Sequence, residues 1–353
     1  MRNSVLLFII TLIFSSCESW LGDQAMPQGR GESGEIILVI DSARWAGNIG
    51  KQLRLTFREL VDGLPRDEPL FDLRQIVPTD FKGILKNPKN LVLVIPLNDK
   101  NHEGLKMKNL FTQNSLDSLQ ENKDIFLINR KNLFATGQHV VFLVNHDDAS
   151  FEEQIVKERE HIRYLFNTIE DRRAMERQFK VREEKTITNR LLTDFGYNIR
   201  IPYGFRIAES SEDFVWLRQA GREIDKSIFI AFKDYTDANA FNDEEIIAWR
   251  DDICGKHIYG NPENPESFLL TETLIPPTFN EVNFDGKYGK KILGLWKTNN
   301  ISMGGPFVGY TFVDENTNRL YYIEGFVYSP GVDQRELMRE MNVILKTFKS
   351  SPE

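Results

Sequence analysis

Any chemistry in this sequence has to come from a small set of side chains. Cys254-x-x-His257 brings a thiol within one helical turn of an imidazole, the spacing of a nucleophile and its base. That pair would work only with His257 in hydrogen-bond reach and the thiolate stabilised by its surroundings. An unpaired cysteine is more often buried filler, and that is the expectation for Cys254. The remaining histidines, His102, His139, His146 and His161, form no His-Glu-x-x-His pair. His146-Asp147-Asp148 reads as a polar loop leading into a capping box, Ser150 with Glu153, rather than as half of a metal site. Trp296, Tyr310 and Tyr322 beside Glu324 form the candidate ligand face, rings that could stack on a glycan or another flat ligand next to a carboxylate. The competing reading makes the same rings core. In Leu320–Tyr328, Tyr321, Ile323 and Val327 share one face and Tyr322, Glu324, Phe326 and Tyr328 the other, as a sheet covered on both sides requires.

Three formal motifs fail on their context. Gly29–Gly34 spells G-R-G-E-S-G, but it precedes a strand, whereas a dinucleotide loop must follow one and open a helix. Asp314–Asn318 (D-E-N-T-N) starts like a calcium loop, yet Arg319 and Gly325 stand where the loop needs glycine and a bidentate glutamate. No G-x-S-x-G elbow occurs. The sequence therefore predicts no catalytic residue, no cofactor and no metal.

Cys17 is different. Arg2 supplies a positive start, Val5–Phe14 is apolar except for Thr11, and Ser15-Ser16 are small residues set directly before the cysteine. Ten helical residues reach about 15 Å, half of a bilayer's ~30 Å hydrocarbon core, so a lasting span is not expected. The arrangement resembles a bacterial lipoprotein signal, which implies cleavage before Cys17 and lipidation of its thiol. With Cys17 modified, Cys254 is the one thiol left, and no disulfide can form within the chain.

The elements that would position these residues follow from length and periodicity. At 353 residues the chain exceeds one ordinary core, and two domains are expected. A net charge of −8 argues against a nucleic-acid groove. Residues 1–16 read as the signal and 17–34, rich in glycine and polar side chains, as a flexible tether. Residues 35–190 read as an N-terminal α/β domain. Its strands are Glu35–Asp41, Asn90–Leu97, Asp124–Asn129 and His139–Asn145, with an amphipathic helix carrying Trp45, Ile49, Leu53, Phe57 and Val61. From Ser150 a narrow apolar stripe set in dense alternating charge predicts one long solvated helix, which reaches to Lys185 and joins the domains. Residues 191–353 read as an aromatic-rich antiparallel domain, with hairpin signals at Asp285-Gly286 and Glu315–Asn318. Helices are expected from Asp243 and from Asp333, the latter capped through Glu336. The fold class is α+β: two helix-on-sheet domains joined by a long charged helix.

Phe195–Ile207 (F-G-Y-N-I-R-I-P-Y-G-F-R-I), together with a closing helix that ends I-L-K-T-F-K, resembles the PsbP/Mog1-type α/β/α sandwich. A wider pattern begins with the signal, G-E-I-I-L-V-I-D, L-P-R-D-E-P-L-F-D-L and G-Q-H-V-V-F-L-V-N. It continues through F-N-T-I-E-D-R-R and I-P-Y-G-F, and resembles an uncharacterised Bacteroidetes lipoprotein family, a domain of unknown function (DUF family 4837). That resemblance implies an envelope location, at the outer membrane and facing either the periplasm or the outside, and it assigns no catalytic residue. The resulting expectation is a lipid-anchored, non-enzymatic binding or accessory module. Its partners would be the membrane, through Cys17, and an envelope protein or glycan, with no nucleic acid. The alternative is an envelope hydrolase with its site between the two domains.

Overall fold

The computed structural model describes residues 26–261, 264–300 and 303–350; the signal, Cys17 and most of the tether lie outside these. Among the described residues no helix is long and apolar enough to cross a membrane.

The first domain opens with β1 (Glu35–Val39), α1 (Ser42–Ala46) and α2 (Asn48–Phe57). Then come β2 (Asp72–Ile76), β3 (Asn90–Pro96), α3 (His102–Lys108) and α4 (Gln113–Glu121). It closes with β4 (Leu127–Lys131), β5 (His139–Asn145), α5 (Asp148–Lys157) and α6 (Arg159–Phe179). Its sheet order is β2-β1-β3-β5-β4, parallel except for the edge strand β4. β3 is buried at every residue, which is why Asn90–Pro96 shows no polar alternation. One sheet face packs on α2, α5 and α6 through Leu53, Phe57, Phe151 and Phe166. The other packs on Phe81, Met107 and Leu119.

The single long helix expected from Ser150 is broken. α5 ends at Lys157, Glu158 leaves helical geometry (φ −92°, ψ 7°), and α6 restarts at Arg159. The cap is Asp147, whose carboxylate accepts from the Ser150 amide at 2.9 Å, so the helix begins two residues before the expected box. Nor is α6 a solvated strut. Arg163 donates to the Thr56 and Leu55 carbonyls, and the buried Glu170 accepts from Asn90 and Arg173, so part of its dense charge is spent inside the first domain. Periodicity cannot reveal this, because a charged face looks the same in sequence whether water or another element faces it.

The chain crosses at 180–184 into α7 (Lys185–Phe195), followed by β6 (Arg206–Ser210), β7 (Phe214–Gln219) and β8 (Asp225–Asp234). Next are α8 (Asp243–His257), β9 (Tyr259–Asn261), β10 (Asn264–Thr271) and β11 (Thr278–Phe284). β12 (Lys287–Thr298), β13 (Gly304–Asp314), β14 (Arg319–Tyr328) and α9 (Arg335–Leu345) complete the domain. The antiparallel sheet runs β6-β7-β8-β14-β13-β12-β10-β9, with β11 paired to β12. Asp285 and Gly286, both at positive φ (52° and 83°), make the tight β11–β12 turn. The segment 197–202 lies outside the sheet and is tied to its neighbours by isolated bridges at Asn198 and Pro202 and by bonds from Thr188 to the Ile199 carbonyl and from the Arg200 amide to Thr347. α7 and α9 cover one sheet face around Tyr197, Tyr321 and Phe348, and α8 covers the other around Phe229, Trp296 and Tyr322. The result is the mostly antiparallel α/β/α sandwich that the sequence pointed to.

α8 is fastened to its sheet by a buried ion pair. Arg250 on α8 and Glu324 on β14 are both fully buried and joined by two hydrogen bonds of 2.8 Å. Tyr322 donates to the same carboxylate at 2.7 Å, and the guanidinium also reaches Thr271 and lies over Phe307. Removing one partner strands the other charge in the core. Glu324→Ala is expected to lower unfolding free energy by about 3–5 kcal/mol in urea titration. The double variant Glu324→Leu with Arg250→Met should recover most of that loss, and equal loss in both would refute the account.

Candidate ligand cleft at the domain junction

The four residues of the expected aromatic face do not form one. Trp296 and Tyr310 are each 3% exposed, and Tyr322 and Glu324 are fully buried. Strand register also separates them. Tyr310 lies opposite Ile323, and Thr311 opposite Tyr322, so Tyr310 and Tyr322 point to opposite faces of the sheet. Tyr310 donates to Asn342 on α9, whereas Trp296 donates to the Val327 carbonyl beneath α8. Glu324 is spent on Arg250. The core reading describes all four, since a sheet with helices on both faces buries both sets of rings.

The thiol–imidazole pair is likewise divided. Cys254 lies wholly in the α8 core, where burial pushes its thiol up to about 12 in spite of Arg250 beside it. His257 stacks on Phe214 and bonds Glu209 at 2.6 Å near the surface. Asp148 pairs with Arg44, and Asp147 caps α5, so this loop carries out local structural tasks.

The site that spacing alone did not signal is a cleft of about 670 Å³ where the two domains meet. α6 supplies one wall through Asn167, Asp171, Arg172 and Met175, and the loop at Val61–Leu64 closes one side. The second domain supplies Lys291 and Leu293 from β12, Val308 from β13, Met338, Arg339 and Val343 from α9, and Lys346 just past its end. α9 packs over β13 and β14 and against α6, so β12 is left as the floor between the two helices.

The junction is fastened by polar hooks. Glu68 of the first domain accepts from the amides of Gln334 and Arg335 at 2.7 and 2.8 Å, which caps α9 from across the interface. The local cap expected from Asp333 is not used: α9 starts at Arg335, and its cap position is Gln334. Arg335 reaches back to the Pro69 carbonyl and to Asp72 at 2.7 and 2.8 Å. Asp171 on α6 holds Arg339 at 2.9 Å and Lys346 at 3.1 Å.

Lys291 is the exception in this network. Among the described residues it has neither a hydrogen-bond nor an ion-pair partner. Burial, with Lys346 and Arg339 close by, pushes its ammonium down to about 8. The sequence did carry a signal for it. Consecutive lysines at 290 and 291 just before the apolar run Ile292–Trp296 must point to opposite faces of a sheet that is covered on both. Lys290 pairs with Asp243, and Lys291 faces the cleft.

Comparison with known proteins matches both domains to families. Residues 183–347 match a domain of unknown function (DUF4837). Residues 29–180 match another domain of unknown function (DUF8532), so the cleft is lined by residues from both matched regions. No curated protein matches the chain. Among solved structures, the Saccharomyces cerevisiae Ran-binding protein Mog1p is similar at 10% identity, covering 44% of this chain and 90% of that one with a TM-score of 0.30. A glutamate-to-alanine mutant of Mog1 gives 10% identity, the same coverage and a TM-score of 0.29.

A lysine with its ammonium lowered to about 8 is part neutral in mild base, where surface lysines near 10.4 remain protonated. Brief acetylation followed by peptide mapping is expected to modify Lys291 with a midpoint near pH 8, ahead of the exposed lysines. Lys346→Met should move that midpoint upward by removing a neighbouring positive charge. A Lys291 that titrates with the surface lysines would refute the described environment.

Proposed function

We propose that this protein is a lipid-anchored cell-envelope module that binds a small ligand in the cleft between its DUF8532 and DUF4837 domains. The observation that carries the reading is the cleft itself. It is concave, of the volume usual for small-molecule sites, mostly apolar in its walls, and lined by converging charged groups from both domains. A junction between domains is also where such sites commonly occur. Support for the anchor is the leader ending in Ser15-Ser16-Cys17. Two or more acyl chains hold a water-soluble body at a bilayer stably where one does not, each buried methylene contributing about 0.8 kcal/mol.

Binding is preferred to hydrolysis because the described lining brings no histidine, serine or cysteine into the cleft. Of its carboxylates Asp62, Asp171 and Glu176, Asp171 is shared between Arg339 and Lys346, and the thiol of Cys254 lies beside Arg250 in another core. A ligand held here would touch both domains, so its presence would also tighten their docking.

Mass spectrometry of the native product tests the anchor: the first residue should be Cys17 carrying acyl chains, and Cys17→Ser should release the protein from membranes. Methyl NMR of Met175, Met338 and Val343 tests the cleft. Addition of a protein-free envelope extract that retains its lipids is expected to shift these three signals while leaving core methyls such as Ile199 in place. An unmodified Cys17 overturns the anchor, and unmoved cleft methyls overturn the binding site.

A further inference from the structure

The ligand's chemistry can be read from the cleft, and the inference rests on the binding reading above. Three observations constrain it. First, the walls are largely apolar: Leu64, Leu293, Val308, Met338 and Val343 line one continuous stretch. A purely polar anion would leave that surface wet. Second, the charge is one-sided. The chain carries a net charge of −8, yet the cleft gathers Arg172, Lys291, Arg335, Arg339 and Lys346 against Asp62, Asp171 and Glu176. Asp171 pairs directly with two of those cations, so Lys291 feels its charge but makes no ion pair or hydrogen bond among the described residues. An unpaired, half-buried ammonium is costly, and a bound anion would remove that cost. Third, the space is limited. At about 670 Å³ the cleft lies in the range of sites that take one small molecule, which suits one chain with a small head.

We propose that the cleft takes a single-chain amphiphile with an anionic headgroup, the head against Lys291 and Lys346 and the chain along Leu293, Met338 and Val343. The two lysines come from β12 and from the C-cap of α9, so one headgroup bridges the sheet and the end of the helix that α6 packs against. Tyr164, 72% exposed at the α6 rim, stands at the mouth where the chain's free end would emerge. A fatty acid and a monoacyl phosphate share this chemistry, and the test separates them.

The chain from Glu18 onward, which keeps every described residue, is titrated below the aggregation threshold with oleate, oleyl phosphate, oleyl alcohol and acetate, following the methyls of Met175, Met338 and Val343. The expected result is saturable shifts with an anionic probe, at least about tenfold weaker binding of the alcohol, the worth of one charge-assisted contact, and none with acetate. Stronger oleate binding marks a carboxylate head, and stronger oleyl phosphate binding marks a phosphate head. Lys291→Met should erase the advantage of the anion over the alcohol, and Lys291→Arg should keep it; unchanged core methyls in both variants show that they fold. Equal affinity for alcohol and anions overturns the headgroup assignment while leaving the cleft as a binding site. If none of these probes moves the cleft methyls but the envelope extract does, the amphiphile inference fails alone. If the extract fails as well, the binding reading falls with it.

Discussion

A cation taken out of water must meet an anion, and the second domain is arranged around that constraint. Arg250, fully buried, has Glu324 at 2.8 Å; Arg339, nearly buried, has Asp171 at 2.9 Å from the other domain. These two pairs fix, respectively, α8 on its sheet and α9 on α6. Neither is strong evidence of net stabilisation, since desolvation offsets much of the attraction. They do specify placement, because any shift of a helix leaves a charge stranded. Lys291 breaks the rule within the same domain, and it does so at a cleft.

The domain junction shows why that cleft exists. α9 covers β13 and β14 and leaves β12 to be closed by something from outside the domain. α6 approaches but holds α9 rather than β12, through Asp171 to Arg339 and Lys346. Glu68 adds a second tie at the start of α9 by accepting from two amides that a helix always leaves unsatisfied. Contacts of this kind are polar and sparse compared with a hydrophobic seam, and polar interfaces between domains commonly accommodate relative movement.

The buried strands were legible because Asn90–Leu97 and His139–Asn145 are continuous apolar runs, and the alternation in Leu320–Tyr328 correctly assigned Tyr321 and Tyr322 to opposite faces. The candidate aromatic face failed where it combined residues from three strands. Whether Trp296, Tyr310 and Tyr322 share a side depends on register between strands, and register is absent from the spacing within any one of them. The long helix failed for a related reason. Its stripe of Phe151, Ile155, Ile162 and Phe166 is real and packs in the first core, but the helix is interrupted at Glu158 without losing the stripe.

Sequence by itself determined the two-domain α+β character, the strands buried on both faces, the tight Asp285-Gly286 turn and the interior fate of Cys254, because periodicity, turn conformation and hydrophobicity act over a few neighbouring residues. Tertiary structure alone decided which carboxylate each buried cation meets, that Glu68 rather than Asp333 serves the start of α9, and that Lys291 is left over. Those outcomes join residues as far apart as 68 and 334 or 171 and 339. Pairing of charges depends on distance and desolvation in space, which no local pattern encodes.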